Sequence, residues 1–196
     1  MTRLENPFDR EAQERPQRAA LADAEKHPAL LAADWIVPID VDEYINIHIG
    51  DGTLRTLLGL TGKPDLLSMT WRFYGCGGVV DYEDKPVTEQ FLRAAPPFTR
   101  KPHHNWGFKT IMRNKVKYGK LGVHRPLRFP DQPVRWLNGS GKDMPERYRD
   151  NGWRSAMDCW GYALVTLNHY AVRSVDSFLV KRDRGRVNHV NRDQVF

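Results

Sequence analysis

The sequence predicts an α/β protein, on three observations. An apolar run, Trp35-Ile36-Val37-Pro38-Ile39, has the length of a buried strand and leads into three acids within four residues, Asp40, Asp42 and Glu43. Further strand patterns follow at 44–49, where Ile45, Ile47 and Ile49 alternate with polar side chains, and at 66–73, where Met69, Trp71 and Phe73 share one face and Thr70 and Arg72 the other. Helical patterns accompany them, with Leu54, Leu57 and Leu58 on one face and, near the end of the chain, Val175, Phe178 and Leu179 on another.

In chain order, residues 1–15 read as a poorly ordered tail, and Pro16 opens a helix that Pro28 stops. Pro38 has no N–H for a ladder, which argues for a sheet edge or a local irregularity in the strand at 35–39. Asp51 is placed to cap the helix that ends near Gly59 and Gly62. Beyond the strand at 66–73 come Gly75, Gly77 and Gly78, a turn whose backbone can approach a ligand closely. Residues 87–92 have the pattern of a short strand carrying Glu89, and further strands are expected at 109–113 and 121–124. The proline- and glycine-rich stretch 126–152 reads as irregular surface chain. A last strand at 163–167 delivers Asn168-His169-Tyr170, and Ser174 opens the final helix.

With 196 residues, 40% of them hydrophobic and 28% charged, the chain is long enough for one stable core. No run approaches the roughly 18–20 apolar residues of a membrane span, and the charged N-terminus lacks a signal peptide's apolar centre. Cys76 and Cys159 are the only cysteines and form no C-x-x-C pair, so a reducing cytoplasm is the expected location. The net charge of +6 is unevenly placed. No acid falls between Glu89 and Asp131, a stretch that holds Arg93, Arg100, Lys101, Lys109, Arg113, Lys115, Lys117, Lys120, Arg125 and Arg128. Such a run is either a solvated face or an attractor of phosphates, nucleic acid or an anionic membrane surface.

The acids after Ile39 call for compensation. On a strand, Asp40 and Asp42 would point to one face, where two adjacent carboxylates repel and each is costly to desolvate. Mg²⁺ or Mn²⁺ would meet that need, taking carboxylate oxygens and keeping positions for water and phosphates.

The segments IDVDEYINIHIGDGTL, SMTWRFYGCGGVVDYEDKPVTEQF, RKPHHNWGFKTI, LGVHRP, NGWRS and LNHYAVRSVDSFLVKRDRGRVNH, in this order, resemble the bacterial family 2 glycosyltransferases of subgroup 4. These are enzymes of the GT-A nucleotide-diphospho-sugar transferase fold, and the resemblance runs from about Asp34 to the C-terminus. It implies a metal-dependent transfer of a sugar from a nucleotide-diphosphate donor to a glycan or other hydroxyl acceptor, in polysaccharide or surface-glycan synthesis. Asp40 and Asp42 then correspond to the D-x-D that holds Mn²⁺ or Mg²⁺, with His124 or His169 completing the shell. Gly75, Gly77 and Gly78 would lie near the donor sugar, and Lys181, Arg182 and Arg184 would face the diphosphate. The base that takes the acceptor's proton would be Asp84 or Glu83, within Tyr82-Glu83-Asp84, or the rival Glu89.

The resemblance also implies a division of the chain. GT-A enzymes place a βαβ nucleotide-binding half before the D-x-D strand, and the 33 residues ahead of Asp34 are too few for one. Residues 1–33 are therefore expected to be a tail and short helix left from that half, and 34–196 the catalytic portion of a longer enzyme. No transmembrane segment is expected, and peripheral membrane association is compatible with the basic run. A reading of another class is a catalytically inactive fragment, or a basic binding module for nucleic acid or an anionic surface. The acids at 40–43 weigh against nucleic acid, since without a metal they repel phosphate.

Overall fold

The structure, a computed structural model, describes residues 15–98, 106–116 and 118–184; the tail at 1–14, Arg100, Lys101 and Lys117 of the basic run, and the side chain of Arg184 lie outside the described residues. Its elements are helices α1 (Pro16–Ala24), α2 (Pro28–Ala32), α3 (Leu54–Leu60), α4 (Val87–Gln90) and α5 (Val175–Arg184). The strands are β1 (Trp35–Ile36), β2 (Glu43–Ile47), β3 (Leu66–Phe73), β4 (Phe108–Arg113), β5 (Trp136–Asn138) and β6 (Val165–His169). The class is mixed α/β, as the periodicities predict.

The eight residues of β3 form the longest strand and the axis of a six-stranded sheet ordered β1-β4-β3-β6-β2. One edge of β3 pairs antiparallel with β4. The other edge is shared: β5 runs parallel to residues 66–68 and β6 parallel to residues 71–73. β2 is antiparallel to β6 and β1 to β4, and β1 is an outer strand that ends at Ile36, short of the expected 35–39, with Pro38 beyond it.

Alternation along β3 sends Leu67, Met69 and Trp71 to one face, where Leu57 and Leu58 of α3 pack with Ile111, Val165 and Leu167. Leu66 faces the other way, into a second cluster with Phe108, Met112, Trp136, Met144, Tyr148 and Cys159, which Leu21 of α1 and Leu30 of α2 cover. Both faces are buried along residues 66–71, and the polar Ser68 and Thr70 of the second face find hydroxyl partners in Thr110 at 2.9 Å and Ser155 at 3.4 Å.

Several local expectations are corrected. Pro28 opens α2 instead of merely stopping α1, because the His27 ring accepts the Ala29 N–H at 3.2 Å. The cap of α3 is Thr53, whose hydroxyl accepts the Thr56 N–H at 3.2 Å; Asp51 supports that cap from one turn earlier. Residues 87–90 form a helical turn, not a strand, since Pro86 sets its entry and Gln90 ties back to the Glu83 and Lys85 carbonyls. No strand forms at 121–124, where the chain doubles back and Lys120 bridges Leu127. The stretch 126–152 contributes the fully buried β5, anchored where Trp136 Nε1 donates to Ser68 Oγ at 2.8 Å. Ser174 caps α5 as expected, accepting the Ser177 N–H at 3.2 Å. Among the described residues no helix is long and apolar enough to cross a membrane.

Candidate functional site

The carboxyl ends of the parallel strands β3 and β6 lie side by side, with Phe73 opposite His169, and β2 begins on the same rim, with Glu43 opposite His169. In open α/β sheets this is the end at which ligands bind. Two backbone bonds stitch the rim: Tyr74 N–H to the His169 carbonyl at 3.0 Å and Tyr170 N–H to the Asp42 carbonyl at 2.9 Å. Lys109, second residue of β4, arrives from the far side of β3, and Lys181 arrives from α5.

Asp40 and Asp42 lie in a tight turn, not on a strand, and Glu43 closes that turn as the first residue of β2. The Glu43 N–H donates to the Asp40 carbonyl at 3.1 Å, and the Glu43 carboxylate accepts the Asp40 N–H at 2.9 Å. This turn gives Asp40 and Asp42 separate partners, contrary to the expectation that they share one face. Asp40 accepts from Lys109 Nζ at 3.0 Å and Gln17 Nε2 at 2.9 Å. Asp42 lies 3.6 Å from His169 Nε2 and 3.4 Å from Lys181 Nζ.

Lys109 is the residue the sequence concealed. Its side chain is 1% exposed and sits 3.7 Å from the Glu43 carboxylate, which is wholly buried. Counted by composition, it belonged to a solvated basic run. Its place in the strand, two residues before the inward-facing Ile111, was the available signal. Burial raises the Glu43 carboxyl above its ordinary value against the pull of Lys109. Burial also works to raise Asp42, but His169 and Lys181 together outweigh it and hold the carboxyl at about 2.

The two candidate histidines differ. His124 Nδ1–H donates to the Phe108 carbonyl, 3.0 Å away, and the ring stacks on Trp153 with a 5.0 Å centroid separation. Burial, then the Lys109 charge, lower it to about 4, so it is neutral at pH 7. His169 lies between Trp71 and Phe73, at 4.6 and 4.8 Å, with Nε2 toward Asp42. Glu43 Oε1, His169 Nδ1 and Trp71 Nε1 are buried without a partner among the described residues.

Among the described residues no group of three or more His, Cys, Asp or Glu side chains converges as a complete metal shell. Asp42 and His169 do make a two-sided start. Their 3.6 Å separation is too long for a hydrogen bond, and Asp42 is firmly ionised. Asp42 and His169 are thus the described residues that could hold Mg²⁺ or Mn²⁺, an ion that can take its remaining ligands from phosphates and water. Asp40 and His124 are engaged elsewhere.

The other expected site residues lie beyond the rim. Gly75 follows directly from β3, its N–H donating to the Arg93 carbonyl at 3.0 Å, and Gly77 and Gly78 adopt φ of 62° and 97°, which only glycine takes readily. Glu83, Asp84 and Glu89 are exposed, and among the described residues none bonds to Asp40, Asp42 or Glu43. Glu83 pairs with Lys85 at 2.5 Å, and Asp84 accepts from the Tyr82 hydroxyl at 3.4 Å. Their loop is nonetheless docked on α5, where Tyr82 N–H donates to Asp176 at 3.1 Å. Arg182 is exposed beside Asp183. No protein-family model matches the chain, and no curated protein matches it.

Proposed function

We propose that the chain is a GT-A glycosyltransferase that moves a sugar from a nucleotide-diphosphate donor to a glycan or other hydroxyl acceptor. The observation that carries this reading is the Asp42–His169 pair, set at the carboxyl ends of two parallel strands with Lys181 beside it. A bound Mn²⁺ or Mg²⁺ would supply charge neutralisation for the departing diphosphate. Asp42 and His169 are the residues that would hold it. Lys181, half exposed, 3.4 Å from Asp42 and 3.1 Å from the Ala171 carbonyl, would exchange one of these partners for a phosphate oxygen. The glycine turn leaves backbone room beside the rim for the donor, and the docked loop at 79–84 offers Asp84, with Glu83 and Glu89 as neighbours, to take the acceptor's proton. Use of nucleotide-sugars suits the cytoplasmic location expected from the cysteines.

The test is thermal. A cation that binds only the folded chain raises its melting temperature by mass action. MnCl₂ together with UDP or GDP should shift the wild type by several degrees, and Asp42→Asn and His169→Ala should each abolish the shift. Transfer from a panel of UDP- and GDP-sugars should disappear in the same variants. A melting curve indifferent to metal and nucleotide in all three proteins would rule the assignment out.

A further inference from the structure

Arg72 precedes Phe73 on β3 and so points to the sheet face away from Phe73, His169 and the metal pair. It enters a groove of about 580 Å³ whose walls include His48, Ser140, Lys142, Trp160 and Tyr162. That size lies in the range of small-molecule sites. The Arg72 Nε is buried with no acceptor, and none of the guanidinium nitrogens donates to any group among the described residues. Lys142, exposed at the rim of the groove, likewise has no partner for its ammonium among the described residues. The acid in the lining, Asp158, is already taken: Arg147 holds both its oxygens, at 2.7 and 2.9 Å. The groove therefore holds one buried donor without an acceptor and an exposed ammonium beside it, and a bound anion would satisfy the first and pair with the second.

The remaining lining is fixed and partly aromatic. Tyr162 donates its hydroxyl to the Trp71 carbonyl at 2.7 Å, which holds its ring upright. Trp160 is stacked on Trp106 at 5.5 Å with 10° between planes. His48 is locked between the Tyr162 carbonyl and the Thr166 hydroxyl. A guanidinium fork matches the two oxygens of a carboxylate or phosphate, and rigid aromatic walls suit the C–H faces of a pyranose. Two unpaired cations in a confined groove are too few for the extended phosphate track of a nucleic acid.

We propose that this groove binds a saccharide unit bearing a carboxylate or a phosphate. Binding stands on the groove's own geometry; its role, holding an acidic acceptor glycan, rests on the glycosyltransferase reading above.

The experiment is calorimetric titration of the full chain, without metal or nucleotide, with four ligands: digalacturonate, glucose 1-phosphate, neutral galactobiose and inorganic phosphate. One of the two acidic saccharides should bind at least about tenfold more tightly than both galactobiose and inorganic phosphate, and which one does so separates carboxylate from phosphate. Arg72→Gln and Lys142→Glu should each weaken that binding at least about tenfold. Lys142 is exposed, so its variant keeps the argument testable if Arg72→Gln fails to fold. Equal binding of galactobiose, equal binding of inorganic phosphate, no binding at all, or binding unchanged in folded Lys142→Glu would overturn the proposal. Because these titrations contain no metal, their failure leaves the Asp42 and His169 test untouched, and the reverse holds as well.

Discussion

Replacing Lys109 with methionine removes an ammonium that is 1% exposed and lies 3.0 Å from Asp40 and 3.7 Å from Glu43. The two acids respond differently. Asp40, 41% exposed at its side chain, returns to water, whereas Glu43 is wholly buried and has no such route. Breaking a buried pair from one side costs about 3–5 kcal/mol, because the remaining charge is uncompensated. For a chain of this size that lowers the melting temperature by roughly 10 °C. Glu43 already has a raised carboxyl, and loss of Lys109 raises it further. A raised folded value stabilises fully below the ordinary carboxyl range and is lost as pH rises through the folded value. The deficit of Lys109→Met should therefore be largest near pH 7 and shrink toward pH 5. The double variant Lys109→Met/Glu43→Gln should recover most of the loss, since no buried charge remains. Calorimetric melts of the three proteins at both pH values decide it. A single variant melting within 2 °C of wild type, or a double variant no better than the single, would refute the pairing, a bound set on the scale of one small surface effect.

Two further outcomes are expected. A methyl group at Gly107 would press into the Trp71 ring, which His124, Trp153 and His169 hemmed in on its other sides cannot let move; Gly107→Ala should cost about 1–3 kcal/mol in urea unfolding, and an unchanged midpoint would show the ring to be free. Asp42, held at about 2, contributes stability that is present above its ordinary value of 3.8 and lost as pH falls toward 2. Its partner Lys181 is half exposed, so this contribution is on the order of 1 kcal/mol, and Asp42→Asn should flatten the stability curve between pH 4 and pH 2 by that amount in acid titrations.

What could be seen in the sequence follows from how each element is stabilised. β3, β4 and β6 carry long apolar or alternating patterns because their own side chains fill the core, and all three were legible. β5 was not, since three residues between Pro133 and Gly139 hold no periodicity, and their place in the sheet comes from pairing with β3. Val87 and Thr88 favour a strand, but Pro86 at the entry, the helix formers Glu89 and Gln90, and the Gln90 side-chain bonds override them. At the site, His169 was only one of two candidate histidines, with His124 the other, whereas the acids at 40–43 stood out by type and position. The separate fates of Asp40 and Asp42 did not, because they depend on a turn closed by Glu43 and on a lysine 69 residues away.

The groove owes its shape to a pinch in the backbone. After β5 the Gly139 carbonyl accepts the Leu164 N–H at 2.8 Å, and a Cβ on Gly139 would fall 2.6 Å from the Gly161 carbonyl oxygen. Residues 140–160 thus leave the sheet and return through one narrow neck, with Met144, Tyr148 and Cys159 moored in the core. Between Tyr148 and Cys159 the chain is tied once more to the start of β4, where the Phe108 N–H donates to the Trp153 carbonyl at 3.0 Å and the Ser155 N–H to the Trp106 carbonyl at 2.7 Å. The exposed side chains between these ties, Lys142 and Met157 of the groove among them, can change without shifting β5 or β6. A lineage built on this scaffold could exchange the ligand held by the groove while the rim with Asp42 and His169 stayed as it is. Its recognition surface and its reactive centre are free to evolve on separate clocks.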